Sequence, residues 1–199
     1  MKSLFVSVNS EGDGTAEALA LAEALGRESG LEGKNLIRLR LLTEELLGML
    51  RGIAGRVEAN FWLEAEGRNF EIHMKSEVGI TPEMREQFLS ASSSGKNDAA
   101  RGLMGKIRVM IASALLSMKE TMPYAMMNYA ASYPTGGEYS AVWSMSSYRD
   151  EVSHGLDHTE EATAAWDELE KSIVANIADD VRVRIVGKTV EIIVLKAFA

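Results

Sequence analysis

The sequence predicts an α+β fold: a two-layer sandwich in which a mixed or antiparallel sheet carries helices on one face. Three observations lead there. Ala59 to Ala65 and Phe70 to Lys75 are strand-like, and the turn-forming Glu66-Gly67-Arg68-Asn69 between them marks a hairpin. Near the C-terminus Val181 to Val186 and Val190 to Leu195 repeat the arrangement around Gly187-Lys188, a tight-hairpin signal. The remaining long segments carry apolar residues at helical spacing, so helices and strands come in separate runs instead of strict alternation.

From the N-terminus, Leu4 to Val8 alternates apolar and small polar residues and predicts a short strand. Glu11-Gly12-Asp13-Gly14 follows as a turn. Thr15 is placed to cap a helix to about Leu25, with Ala18, Leu21, Ala22 and Leu25 on one face. Gly26 to Gly33 is a glycine-rich break, and a second helix is expected from about Lys34 to Ala54, ended by Gly55. After the first hairpin, Ser76 to Pro82 reads as a loop and Glu83 to Leu89 as a short helix. Ala91 to Asp98 is polar, and a helix from about Ala99 to Met118 follows, apolar at Leu103, Ile107, Met110, Ile111 and Ala114. Lys119 to Gly137 is rich in Met, Tyr and Ala without a clear period. Glu138 to Met145 predicts a strand. Asp157 with Glu160 forms a capping box for a helix to about Ile177, with the stripe Trp166, Leu169, Ile173 and Ile177. No repeat or linker interrupts the chain, so residues 1–199 are expected to form one domain.

Composition narrows the function classes. The 199 residues are 46% hydrophobic and 25% charged, ordinary for a globular chain long enough to bury a core. A net charge of −8 with no basic tail speaks against general nucleic-acid binding. The absence of cysteine removes disulfides, thiolate zinc sites and cysteine nucleophiles, and fits a reducing compartment. No apolar run approaches the roughly 20 residues of a membrane span, and Asn9, Ser10 and Glu11 arrive too early for a signal peptide. The expectation is a cytoplasmic protein with neither membrane nor nucleic-acid partners.

The segment Leu39 to Leu50 carries the most chemistry. On a wheel advancing about 100° per residue, Leu39, Leu42, Leu46, Leu50 and Ile53 form the core stripe. Glu44 falls with Arg40 and Arg51 on the wet side. Glu45 falls at the edge of the stripe, between Leu41 and Met49 and on the side of Gly48 and Gly52. A carboxylate at the rim of an apolar stripe suits a ligand-facing helix, and the glycines would admit a strand or flat ligand closely. The same placement also suits a partly solvated boundary residue beside glycines that permit tight packing.

The order of elements and three motifs make residues 1 to about 118 resemble the GHKL (Bergerat-fold) ATPase superfamily. The look is nearest to the anti-sigma-factor serine kinases and the ATPase domains of histidine kinases. In that family a long helix carries a glutamate, two apolar residues, one variable residue and an asparagine. Glu45-Leu46-Leu47-Gly48-Met49 matches until Met49, which stands in place of the asparagine. The resemblance implies ATP as cofactor and Glu45 as the acid/base residue. Magnesium prefers hard oxygen ligands, so a thioether at Met49 speaks against the family's metal site. The family's next motif, Asp-x-Gly-x-Gly, bonds adenine through its aspartate. Here the strand leads into Ser76-Glu77-Val78-Gly79, where Gly79 is kept and Ser76 or Glu77 replaces the aspartate. The third motif is a glycine-rich phosphate loop opening a helix. Arg101-Gly102-Leu103-Met104-Gly105-Lys106 is similar, and Ser92 to Asp98 sits where the family's mobile lid sits. The nucleotide-binding set implied is therefore Met49, Ser76, Glu77, Gly79, Arg101, Gly102, Gly105 and Lys106. The bland reading of Gly102 and Gly105 is helix packing.

Other constellations are weaker. His154 and His158 are four apart with Asp150, Asp157 and Glu161 nearby, but Gly155 interrupts them and the run reads as a solvated acidic face. His73 alternates with core residues and has no visible partner. Ser94-Gly95-Lys96-Asn97 lacks the first glycine and final hydroxyl of a phosphate-binding loop. Residues 119–180 exceed what the resemblance requires, which marks them as an insertion or extension before the final hairpin. Met118, Met122, Met126 and Met127 with Tyr124, Tyr129 and Tyr133 fit a partner or self-association surface, or a core-filling helix pair. The expectation is a regulatory protein with a degenerate histidine-kinase-like ATPase fold. It would act through a protein partner, with weak or absent nucleotide binding and no metal of its own. The alternative is an active ATP-binding protein or serine kinase using Glu45.

Overall fold

The computed structural model describes residues 1–50, 56–78, 103, 105, 107, 110–111, 131–132, 140–155 and 159–199. Its elements are β1 (Val6–Asn9), α1 (Thr15–Glu28), α2 (Gly33–Gly48), β2 (Glu58–Glu66), β3 (Asn69–Glu77), β4 (Ala131–Ser132), β5 (Ser140–Ser144), α3 (Met145–Gly155), α4 (Glu160–Lys171), α5 (Ile173–Ile177), β6 (Asp180–Val186) and β7 (Thr189–Ala197). The described strands form one sheet in the order β1-β2-β3-β7-β6-β5-β4, antiparallel at every pairing. The protein is therefore α+β, and of the two sheet types expected the antiparallel one is present.

Period-two patterning decides which face is covered. Leu63, Ile72, Val194 and Val181 are register neighbours across β2, β3, β7 and β6, and each is fully buried. They share one core with Ala18 and Ala22 of α1 and with Leu39, Leu42 and Leu46 of α2. The alternate residues, among them Trp62, His73 and Ile193, lie on the opposite face. Both expected hairpins form, each with a two-residue turn, Gly67-Arg68 and Gly187-Lys188. Gly67 and Gly187 take φ of 59° and 56° at the first turn position, where a side chain would be strained.

Several boundaries differ from expectation. Gly14, not Thr15, is the N-cap of α1, in a left-handed conformation without a side-chain cap. α2 ends at Gly48, short of Ala54, and the Met49 N–H bonds back to the Leu46 carbonyl at 3.2 Å, tightening the last turn. The expected strand ending at Met145 stops at Ser144, because the Ser144 hydroxyl caps α3 by accepting from the Ser147 N–H at 3.2 Å. Thr159, not Asp157, caps α4, its hydroxyl accepting from the Ala162 N–H at 3.1 Å. The helix expected to reach Ile177 is broken at Ser172, which is extended and caps α5 through the Ala175 N–H. In consequence Val174 is buried and Ile173 is 45% exposed.

The helix expected over Glu83 to Leu89, the stretch Ser92 to Asp98 and most of Met118 to Tyr133 lie outside the described residues. Leu103, Gly105, Ile107, Met110 and Ile111 are helical, as their spacing predicts. No helix of the described residues is long and apolar enough to cross a membrane.

Candidate functional site

Helix α2 carries Glu45 and is C-capped by Met49, two of the expected site residues. Near its start, the Asn35 side-chain amide donates to the Ala199 carbonyl at 3.3 Å, and the Phe198 N–H bonds the Arg68 carbonyl at 3.0 Å. The beginning of α2 therefore lies at the β2–β3 turn. Glu45, ten residues further, sits about 15 Å along the axis, toward the end where β3 finishes at Ser76 and Glu77. At that end the Val78 N–H bonds the Lys188 carbonyl at 2.8 Å, and the Ser10 N–H bonds the Val57 carbonyl at 3.0 Å.

The wheel reading of α2 holds. Leu39, Leu42, Leu46 and Leu50 are buried, and Arg40 pairs with Glu44 at 3.0 Å and with Glu23 of α1. Ile53, Arg51 and Gly52 lie outside the described residues. Glu45 is half-buried, as its place at the stripe's edge predicts. Met49 is 3% exposed and belongs to the core. Among the described residues, a side chain added at Gly48 would meet nothing within 4 Å. Ser76 is half-buried on the helix-covered face, whereas Glu77 is exposed on the other. Gly105 is buried within a helical stretch beside Leu103 and Ile107. Gly79, Arg101, Gly102 and Lys106 lie outside the described residues.

A second cluster, which sequence reasoning missed, occupies the open face of the sheet. Cross-strand register sets Trp62 of β2 against His73 of β3, and His73 against Ile193 of β7. The Trp62 and His73 rings stack 4.6 Å apart and 7° from parallel, and Phe5 lies against Trp62 at 5.1 Å. Carboxylates surround the stack. Glu71 Oε2 is 3.2 Å from His73 Nε2, and Glu191 Oε1 is 3.9 Å from Nδ1. Neither contact has hydrogen-bond geometry, so both nitrogens of this buried ring lack a hydrogen-bond partner among the described residues. Burial pushes the His73 imidazole below the ordinary histidine range, against the pull of Glu64, Glu71 and Glu191. Glu64 is held below the usual carboxylate range by its bond from Lys2 and by the Trp62 indole N–H at 3.0 Å. The signal that could have found this cluster was a tryptophan on the polar parity of a hairpin.

The remaining candidates do not assemble. His154 lies on α3 with Nδ1 2.6 Å from the Asp150 carbonyl oxygen, and His158 is outside the described residues. Among the described residues no group of three histidine or acidic side chains is placed to hold a metal ion. No protein-family model matches the chain, and no curated protein matches it.

Proposed function

We propose that this chain is a cytoplasmic regulatory protein with a degenerate histidine-kinase-like ATPase fold, acting by binding another protein and holding nucleotide weakly or not at all. The observation that carries this reading is Met49. It occupies the position at which the resembling family places a magnesium ligand, and it is buried in the core at the end of α2. A buried thioether offers magnesium no hard oxygen, and without the metal the phosphates lose the charge that binds them. Glu45 at the half-buried rim of the same helix keeps the family's acid/base position without that neighbour. The reading expects a mixed or antiparallel sheet with helices on one face, and an antiparallel sheet with helices packed against it is compatible with it.

Thermal unfolding with ATP, ADP and a non-hydrolysable analogue, with and without magnesium, tests it. A ligand at a hundredfold excess over its dissociation constant adds about 2.7 kcal/mol to apparent stability. No shift at millimolar nucleotide is expected. A clear magnesium-dependent shift would overturn the reading in favour of an active ATP-binding protein using Glu45. Met49→Asn is the companion variant. Gain of magnesium-dependent binding would show that the pocket survives and that only the metal site was lost.

A further inference from the structure

We propose that two copies of this chain pack open sheet face to open sheet face, about a two-fold axis that runs across the strands along the Trp62–His73 row. The inference goes beyond the reading above, because it concerns the face opposite α2 and holds whether or not nucleotide binds.

Register sorts the open face into rows across the strands. The middle row is Trp62, His73, Ile193 and Arg182. On one side of it lie Glu64, Glu71, Leu195 and Asp180, and on the other Asn60, Lys75, Glu191 and Arg184. An acidic row and a mainly basic row thus flank a row that is uncharged as far as Ile193, and Phe5 extends it beside Trp62, 59% exposed. Lys75 and Arg184 are exposed and flank Glu191 in register. Among the described residues neither side chain forms an ion pair, with Glu191 or with any other carboxylate. Glu71, 49% exposed, has only His73 beside it.

A face of mixed charge arranged in this way complements its own two-fold image. An axis along the middle row turns the acidic row of one copy onto the basic row of the other and lays each strand over its counterpart. Lys75 then faces the partner's Glu71, and Arg184 faces the partner's Asp180, each pair made twice. Trp62, His73 and Ile193 meet their own counterparts. Asn60 and Glu191 meet the partner's Glu64 and the partner's Leu195, and Lys2 and Glu77 meet the partner's Ser7 and the partner's Asn69. Like charges meet at two places, and both are compensated within their own chain. Arg182, on the axis, is bonded to Asp180 at 3.2 Å, and Glu58, which faces the partner's Glu66 at the rim, is paired with Arg56 at 3.2 Å. The size also suits a dimer. Five strands spaced about 4.8 Å, β3 and β7 each nine residues long, outline roughly 600 Å², the order of the ~800 Å² that a standard interface buries on each partner.

Sedimentation of the full chain tests this, at up to about 1 mM protein in ~0.15 M salt, where screening limits the mutual repulsion of two chains of net charge −8. A species of twice the chain mass is expected. Lys75→Glu and Glu71→Lys each set like charges opposite one another twice, so each should weaken association about tenfold or more, with the circular dichroism of the parent. Mixed in equal amounts, the two variants should dimerise again, because the reversed charge on each chain then faces its opposite on the other. A parent that stays monomeric throughout, a dimer that withstands both substitutions, or variants that remain apart on mixing would overturn the proposal. So would recovery of the Lys75→Glu chain by Glu191→Lys in place of Glu71→Lys, since the axis would then run along the strands. None of these outcomes bears on the nucleotide titration, so the two readings fall separately.

Discussion

Burial holds the His73 ring neutral because Trp62 covers one face and charge there would cost solvation. The consequence for stability has a definite sign. In the unfolded chain the ring titrates near pH ~6.5, and in the folded chain it titrates lower. Between those values the unfolded state binds the proton and the folded state does not, so stability rises with pH across that window. Acidification below pH ~6.5 therefore removes stability, and above it the residue contributes no slope. His73→Gln is neutral throughout and lacks this term. Urea unfolding of both proteins from about pH 5 to 8 should give curves that diverge only on the acid side; parallel curves would show that the buried ring does not titrate differently from a free one. Glu45 and His73 also differ in how far sequence could place them. The neighbours of Glu45 lie within one helical turn, so the wheel located it at the half-buried edge of α2. Of the neighbours of His73 only Glu71 is local, two residues back on the same strand; Trp62 and Glu191 come from β2 and β7, and only the register brings them to it.

Ser172 ends α4 and begins α5, and its hydroxyl caps the shorter helix at 3.2 Å from the Ala175 nitrogen. The break turns α5 so that Val174 and Ala175 are buried. Ser172→Ala should cost about 1 kcal/mol, the usual worth of such a cap. Ser172→Thr, which keeps an acceptor, should retain most of the stability, and denaturant midpoints compared at constant slope would separate the two. An equal loss in both variants would mean that the extended conformation, not the hydroxyl, is what matters. Leu169, Ile173 and Ile177 recur at helical spacing across Ser172, which hides the break from any periodic reading. The hairpin turns, by contrast, are local: Gly67 and Gly187 supply the one conformation their strands need between alternating residues. The same locality explains why α2 was legible along its length and imprecise only at its end, where Gly48 lowers helix propensity and the last turn tightens.

The order β1-β2-β3-β7-β6-β5-β4 makes the last strand of the chain the middle strand of the sheet. Thr189–Ala197 bonds β3 along one edge and β6 along the other, so it is the only described strand that ties the N-terminal β1-β2-β3 half to the C-terminal half. Val194 is at the centre of that junction, fully buried and paired with Ile72 on one side and Val181 on the other. A fold joined this way should melt as one unit, because neither half can bury its apolar face once β7 is released. Trp62 in β2 and Trp143 in β5 report on opposite sides of β7. With Trp166 and one of these two replaced by phenylalanine, each remaining tryptophan follows its own half. Val194→Ala should lower both transitions together by about 2 kcal/mol, or roughly 4–8 °C. If the Trp62 transition held at its original temperature while that of Trp143 fell, the N-terminal half would be stable alone, and β7 would be an appendage to it instead of the strand that makes the protein one cooperative sheet.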